Sequence, residues 1–250
     1  MKIIAMINQK GGVGKTTTTV NLAAALALQG CKVTILDMDP QNHVAASLGH
    51  TDLAKLSGMD EVFLHQGKPE TKAIQTRENF QFVPAGAHLS QAEAPGALAH
   101  AEILKEALQG QFEDQDYVFM DCPPSSGLLV VNALFATDDL LIPVTSDYLG
   151  LQGLSFLMGT LVKFDQRAQK QFNKRLIMTK YHKRRKICTT VKDKLLEYFP
   201  SQVLETPIRE TSALAACSGF GQTVFEFDKA SNGAKDCKKL AKDFIKDHTL

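Results

Sequence analysis

The sequence predicts an α/β protein with a mostly parallel, twisted sheet and helices on both faces. Short apolar runs alternate with helix-like stretches along most of the 250 residues, as is typical of β-α-β units with right-handed crossovers. A glycine-rich loop also lies directly between the first strand-like run and the first helix-like segment. No linker, repeat or low-complexity block interrupts the chain, so we predict a single domain over residues 1–250.

The predicted strands are short, mainly apolar runs. The first, residues 3–7, contains Ile3, Ile4 and Ile7 and no charged side chain, as expected of a strand that is buried on both faces. The others lie at residues 32–36, 80–83, 117–120, 139–144, 175–179 and 203–204.

The predicted helices alternate with these strands. The first, residues 16–29, is rich in Ala and Leu, lacks Pro and Gly, and stops at Gly30. The others lie at residues 91–108, 127–136, 149–170, 189–198 and 235–247. Residues 51–76 are polar and only weakly periodic, and we expect them to form a mobile insertion.

The composition excludes several classes of protein. Hydrophobic residues make up 44% and charged residues 22%, the balance of an ordinary soluble globular protein. The net charge is +1, so binding to nucleic acid requires a local patch. No apolar run reaches transmembrane length, and Met1 leads into the first strand without a signal peptide. We therefore expect a cytoplasmic protein.

The five cysteines are scattered, and no two of them form a C-x-x-C pair. This spacing argues against a disulfide framework and against a self-contained zinc site. Cys122 is interpreted as a small buried residue. The cysteines are Cys31, Cys122, Cys188, Cys217 and Cys237.

Residues 10–17 form a phosphate-binding loop of a variant kind. The ordinary pattern, G-x-x-x-x-G-K-[ST], surrounds phosphates with backbone N–H groups, directs its lysine to the β- and γ-phosphates and places a hydroxyl on Mg²⁺. Gln9 stands where the first glycine is expected, and an additional lysine follows it. The loop is Lys10-Gly11-Gly12-Val13-Gly14-Lys15-Thr16-Thr17. A strand before it and a helix start after it predict a nucleotide site.

Aspartates follow two of the predicted strands. Asp37 and Asp39 come after the second strand, and Asp121 follows the run at 117–120. In open parallel sheets ligands bind beyond the carboxyl ends of the strands, where a carboxylate can hold Mg²⁺ or orient water. We expect Asp39 and Asp121 to act on the nucleotide. Asp37 is interpreted as structural, because one turn cannot easily aim both carboxylates of Asp-x-Asp at one metal.

The chain resembles the ParA/Soj/MinD family of deviant Walker A ATPases, and within it the ParA/Soj partition branch. The segments that carry the resemblance occur in the expected order and spacing over most of the chain. They are residues 10–17, 37–41, 121–125 with 132–134, 142–144 with 148–154, and 220–224. Residues 51–76 and the stretch after Leu154 match only loosely.

The resemblance implies ATP and Mg²⁺ as cofactors. Lys15 would hold the β- and γ-phosphates, Thr16 would bind Mg²⁺, and Thr17 would lie on the α-phosphate side. Asp121 would support Mg²⁺ through water. The backbone of the loop would contact the phosphates at Gly11, Gly12, Val13 and Gly14.

The resemblance also implies how hydrolysis and dimerisation are linked. Lys10 would be the signature lysine that reaches across an ATP-dependent homodimer to the nucleotide of the partner subunit. Asp39 would position or polarise the attacking water. Pro207 and Ile208 would form part of the adenine wall, and Thr179 stands near a position where the family often has Asn.

Residues 180–186 hold five cations in seven positions. Such a run is usually a solvated surface, but its density also suits sequence-independent contact with phosphates. The resemblance implies nonspecific duplex DNA as the ligand. The DNA-contacting residues would be Lys183, Arg184, Arg185 and Lys186. The family segment Pro-Arg-Asn-Val-Arg corresponds to residues 208–213, which hold one cation fewer, so we expect a weaker or redistributed footprint.

The expected function is an ATP-dependent switch that binds nonspecific DNA on the nucleoid and positions a cargo. A plasmid or chromosome is the default cargo, a protein complex is an alternative, and a partner of ParB type or an equivalent would stimulate hydrolysis. Because the chain begins at its first strand, we expect no N-terminal DNA-reading extension.

Two other classes stay open. A MinD-like protein would use the amphipathic segment 235–247 on a membrane, although its interspersed aspartates and apolar stripe favour packing on the sheet. A metabolic enzyme of the same fold would transfer phosphate to a small molecule.

Overall fold

The computed structural model describes residues 1–94, 100–137 and 139–247. Within them a seven-stranded sheet has the order β3-β4-β2-β5-β1-β6-β7. Every neighbouring pair is parallel except β3 and β4. The strands are β1 (Lys2–Met6), β2 (Val33–Asp37), β3 (Ile74–Arg77), β4 (Phe80–Val83), β5 (Tyr117–Asp121), β6 (Asp139–Thr145) and β7 (Asn173–Thr179). The predicted fold class is confirmed.

Helices cover both faces of this sheet. The α-helices are α1 (Lys15–Ala27), α2 (His43–Ser47), α3 (Met59–His65), α4 (Ile103–Ala107), α5 (Leu128–Ala136), α6 (Tyr148–Ala168), α7 (Lys186–Tyr198), α8 (Ser212–Ala216), α9 (Val224–Asp228) and α10 (Asn232–Lys246). Short 3-10 helices lie at Leu53–Lys55, Pro69–Lys72, Leu89–Glu93 and Cys217–Phe220. Buried residues of α1, α2 and α8 to α10 pack on one face, and those of α3 to α7 pack on the other.

The central strands are buried on both faces because their side chains alternate between the two cores. In β1, Ile4 and Met6 join the core under α1 and α10, whereas Ala5 and the following Ile7 join the core under α5 and α6. The continuous apolar run that predicted this strand therefore has its expected cause.

Residues 51–76, expected to form a mobile insertion, instead contain ordered elements. In α3, Met59, Val62 and Phe63 are buried, and their spacing places them on one face of the helix. After it, β3 adds an antiparallel strand to the edge of the sheet, with a register shift between Gln75 and Arg77.

Two other expectations are corrected. The predicted strand at 203–204 is reduced to one parallel bridge between Val203 and Leu176. The predicted helix at 91–108 includes residues 95–99, which lie outside the described residues. On either side of them the chain forms the 3-10 helix Leu89–Glu93 and α4.

The C-terminal helix α10 packs against the sheet, as the interpretation of its apolar stripe predicted. Leu240, Ala241 and Phe244 are buried in the same core as α1. The helix begins earlier than predicted because the Ser231 hydroxyl accepts a hydrogen bond from Ala234 N, 3.1 Å away. In the described parts of the chain, every helix is too short or too polar to cross a membrane.

Candidate active site

The loop between β1 and α1 is held open by glycine backbone conformations. Gly12 has φ 71° and Gly14 has φ 89°, in the left-handed region that favours glycine. An added Cβ at Gly11 or Gly12 would meet no other atom within 4 Å, so the space beside the loop is free. A backbone of this shape can approach phosphate oxygens closely.

Two side chains outside the motif fasten this loop to β6 and β7. Asn8 Oδ1 accepts a hydrogen bond from Lys10 N at 2.9 Å, and Asn8 Nδ2 donates to Pro143 O at 2.8 Å. On the other side, the hydroxyl of Thr179 donates to Val13 O at 2.8 Å. Sequence reasoning missed both positioning roles. Thr179 is thus committed to the loop.

Lys15 lies at the first turn of α1 with its side chain folded along the loop. Its Nζ donates to Asn8 O at 3.0 Å. Burial lowers the pKa of Lys15, while Asp121, Cys122 and Asp39 act in the opposite direction. Phosphate oxygens in the open loop would give this buried ammonium group the anionic partners it lacks.

Asp121, at the end of β5, accepts hydrogen bonds from two hydroxyls of α1. Thr16 Oγ1 donates to Asp121 Oδ2 at 2.6 Å, and Thr19 Oγ1 donates to Asp121 Oδ1 at 3.0 Å. Burial raises the pKa of Asp121 to about 6, against the effect of both hydroxyls. Thr16 and Asp121, predicted as a metal pair, are therefore in direct contact. Thr19 was missed, although it lies one helical turn from Thr16.

Asp37 and Asp39, after β2, have different surroundings. Asp37 accepts from Asp39 N and from Val44 N, both at 3.0 Å, and so stabilises the turn and the start of α2. The structural interpretation of Asp37 is confirmed. Asp39 accepts from Gln41 N at 3.0 Å, and its other oxygen lies 4.0 Å from His43 Nδ1.

Lys10 lies against the end of β6 in its own subunit. Its Nζ donates to Thr145 Oγ1 at 3.3 Å and lies 3.4 Å from Asp147 Oδ1. Asp147 also begins α6, because the same oxygen accepts from Gly150 N at 2.7 Å. The side chain of Lys10 remains 31% exposed, so the ammonium group is reachable from outside.

The predicted adenine-wall residues lie beside the end of β7. Ile208 N donates to Met178 O at 2.8 Å, and Tyr181 N donates to Ile208 O at 3.0 Å. Pro207 is half-buried, whereas the side chain of Ile208 is buried in the core. Pro207 is therefore the more accessible of the two, and contact with a base stays a prediction.

The basic run follows β7, an edge strand of the sheet, and its last residue, Lys186, begins α7. The four side chains predicted to contact DNA are exposed; they are Lys183, Arg184, Arg185 and Lys186. A carboxylate from another segment, Glu210, lies 3.4 Å from His182 Nε2 and 4.0 Å from Arg185 Nη1.

Comparison with known proteins identifies a matching family model and several similar proteins. A family model described as an AAA domain matches residues 1–177. The sporulation initiation inhibitor protein Soj of Bacillus subtilis (strain 168) is 35% identical over 250 residues, which cover 97% of each chain. The chain belongs to the ParA/Soj/MinD family of ATPases.

A second member of the ParA/Soj/MinD family, the chromosome partitioning protein ParA of Myxococcus xanthus (strain DK1622), is 34% identical over 255 residues. The match covers 99% of this chain and 89% of that protein. Among solved structures, cobyrinic acid a,c-diamide synthase from Mycobacterium smegmatis, with a bound ATP analogue and magnesium, is 31% identical with a TM-score of 0.82. That match covers 98% of this chain and 94% of the other.

Two further observations concern the cysteine beside Asp121 and the side chains that could hold a metal ion. Cys122, beside Asp121, is fully buried, and burial raises the pKa of its thiol. Within residues 1–94, 100–137 and 139–247, His, Cys, Asp and Glu form no group of three that could hold a metal ion.

Proposed function

We propose that the protein is an ATP-dependent dimer switch that binds nonspecific duplex DNA and positions a cargo, by default a plasmid or a chromosome. The observation that carries the proposal is Lys10, a partly exposed second lysine beside the phosphate loop. A lysine supplied by one subunit to the nucleotide of the other would make the completed site depend on dimerisation. Membership of a family that contains chromosome-partitioning proteins supports the cargo.

ATP and Mg²⁺ fit the residues that form the loop. The free space over Gly11 and Gly12 suits phosphate oxygens, and Lys15 is a buried cation beside that space. The Thr16 hydroxyl and the Asp121 carboxylate present oxygen atoms, the ligands that Mg²⁺ prefers. When bound, the metal supplies positive charge to the phosphates during transfer. Solved structures with an ATP analogue and magnesium in a relative support this assignment.

The remaining residues of the site orient groups and carry charge. Asp39 is the carboxylate best placed to orient the attacking water, because Asp37 is committed to the start of α2. Thr17 would lie on the α-phosphate side, and Pro207 with Ile208 would border the base. Lys10 must leave Thr145 and Asp147 before it reaches a second subunit.

The proposed cellular role follows from the DNA surface. In the ATP-bound dimer the basic run would hold the protein on nucleoid DNA in the cytoplasm, and hydrolysis stimulated by an adaptor of ParB type or an equivalent would release it. The exposure of Lys183, Arg184, Arg185 and Lys186 supports contact with phosphates. We propose that residues 1–250 act as a single domain.

The test is ATP-dependent association of Lys10→Ala. Wild-type protein should shift from monomer to dimer in light scattering when ATP and Mg²⁺ are added, and ADP should not produce the shift. Lys10→Ala should bind ATP with similar affinity and remain monomeric, because Lys15 and the loop backbone are unchanged. Lys68→Ala, an exposed lysine outside the loop, serves as the control. Dimerisation of Lys10→Ala equal to wild type would rule out the proposed role of Lys10.

A second candidate function is that of a small-molecule enzyme, favoured by the named activity of the Mycobacterium smegmatis structure. That function predicts ATP turnover that depends on an added acceptor. The dimer switch predicts turnover with ATP and Mg²⁺ alone, increased by DNA together with an adaptor.

A further inference from the structure

Backbone hydrogen bonds hold the segment that contains Glu210 next to the basic run. Tyr181 N donates to Ile208 O at 3.0 Å, and Glu210 N donates to Tyr181 O at 3.3 Å. These two hydrogen bonds join residues 208–210 to the first residues of the run. They fix the backbone of Glu210 next to the run, and from there its carboxylate reaches His182 and Arg185.

The carboxylate of Glu210 lies beside His182 and Arg185 and is open to solvent. Its Oε2 is 3.4 Å from His182 Nε2 and 4.0 Å from Arg185 Nη1, and the side chains of Glu210 and Arg185 are 51% and 61% exposed. An exposed pair at these distances adds little to the stability of the fold. Its main effect is on the potential that an approaching polyanion meets.

The neighbouring arginine does not compensate for this negative charge. Arg209 donates from Nε to Asp236 Oδ2 at 2.8 Å and from Nη2 to Asp236 Oδ1 at 2.6 Å. The side chain of Asp236 is only 7% exposed, so removing Arg209 from it would leave a buried carboxylate unpaired. Arg209 is therefore committed to α10, and Glu210 is the charge that this segment adds to the surface of the run.

We propose that Glu210 lowers the affinity of the basic run for duplex DNA. Its carboxylate competes with phosphate for Arg185 and repels phosphates that approach the neighbouring cations. This inference rests on the proposed function, because it takes duplex DNA as the ligand. It adds a residue that sets how tightly the DNA is held.

The experiment compares wild type with Glu210→Gln, which keeps the size of the side chain and removes its charge. Binding of each to a fluorescent duplex of random sequence is measured by anisotropy with ATP and Mg²⁺ at several salt concentrations. We expect Glu210→Gln to bind about three- to tenfold more tightly at low salt, with a difference that narrows as salt rises. ATP affinity without DNA should not change.

The matched control is Glu78→Gln. Glu78 is exposed in the turn between β3 and β4, at the opposite edge of the sheet from β7. It changes the net charge equally but lies far from the run, so its DNA affinity should stay within about twofold of wild type. Equal tightening by both variants would assign the effect to net charge and overturn the inference.

The other outcomes separate the inference from the function on which it rests. If wild type binds DNA in a salt-sensitive way and Glu210→Gln binds no more tightly, the inference is wrong and the proposed DNA binding stands. If neither protein binds at the lowest salt, both are wrong. Tighter binding by Glu210→Gln alone supports the inference.

Discussion

At the scale of single residues, the buried carboxylate of Asp121 shows how a functional site can lower the stability of the fold. Its carboxylate is fully buried, and the hydroxyls of Thr16 and Thr19 are its hydrogen-bond donors. Burial raises the pKa of Asp121 to about 6, so it disfavours the ionised form of the carboxyl that a cation requires.

Asp121→Asn should therefore stabilise the nucleotide-free protein at neutral pH. The folded-state pKa lies above the unfolded value, so ionisation of Asp121 reduces stability as pH rises through about 6. At pH 7.5 we expect the variant to gain about 1–3 kcal/mol in free energy of unfolding. The measurement is urea unfolding in EDTA at pH 7.5 and pH 5, and the gain should shrink at the lower pH.

The same variant should lose ATP turnover, because the asparagine amide carries no charge for the metal. A gain in stability that did not change between pH 7.5 and pH 5 would contradict the assigned cause. Thr19→Val is the companion variant, and it should lower stability by leaving the Asp121 carboxylate with one hydroxyl donor fewer.

Asp39→Ala should trap the ATP-bound dimer. Without a carboxylate to orient water, turnover should fall about 100-fold or more, while binding and dimerisation persist. Asp39→Asn keeps an oxygen that can accept from Gln41 N, and it should show the same trapping if the charge is what matters. Asp52→Ala, at an exposed loop position, is the control. Unchanged turnover in Asp39→Ala, measured by phosphate release, would reject its role.

Motif spacing predicted the residues of the site that contact one another directly, such as Thr16 and Asp121. It did not reveal the positioning roles of Asn8 and Thr179, because the hydrogen bond by which each joins the loop to a strand connects segments distant in the sequence. Pairings across 135 and 166 residues leave no local pattern.

At the scale of elements, the residue that caps α6 also holds the side chain of Lys10. One oxygen of Asp147 caps the helix and lies 3.4 Å from the Lys10 ammonium group. In the proposed dimer Lys10 would have to break this contact to reach the other subunit, so we expect the contact to oppose dimerisation.

Asp147→Asn should lower the ATP concentration needed for dimerisation by about two- to tenfold. Asparagine still caps the helix, but its side chain carries no charge and so no longer forms an ion pair with Lys10. Asp147→Ala loses both functions, and its unfolding free energy should fall by about 1 kcal/mol. Light scattering during an ATP titration and urea unfolding measure the two effects. Dimerisation of Asp147→Asn at the wild-type ATP concentration would show that the contact does not oppose association.

Elements with a distinctive composition were predictable, and elements of mixed composition were not. The continuous apolar run of β1, the mainly apolar β4 and the Ala-rich α1 could be recognised. In contrast, α3 and β3 mix apolar with polar or charged residues over only seven and four positions, so neither gives a pattern that stands out from a loop. Both are stabilised by packing and pairing with residues that local sequence does not specify.

At the scale of the whole molecule, dimerisation should be visible in thermal stability. A ligand that binds only the folded state raises the free energy of unfolding, by about 2.7 kcal/mol when its concentration is 100 times its dissociation constant. The midpoint temperature of unfolding rises as a result. With ATP and Mg²⁺ the midpoint should also rise with protein concentration, because the proposed ligand-bound form is a dimer. Thermal unfolding followed by circular dichroism across a 50-fold range of protein concentration is the measurement.

Lys10→Ala separates the two contributions. Its midpoint should still rise with ATP and Mg²⁺ but should not depend on protein concentration. Wild type with ADP should behave in the same way. A concentration dependence that persists in Lys10→Ala would mean that the subunits associate through other residues.

Both edge strands of the sheet, β3 and β7, have features that disfavour pairing with a strand of another chain. On one margin β3 is four residues long, antiparallel and irregular in register. On the other, the backbone of β7 exchanges hydrogen bonds with residues 202–208, through Leu176 and Met178. Short, irregular or covered edges discourage growth into continuous β-structure. The sheet edges therefore disfavour association of two copies through continuous strand pairing.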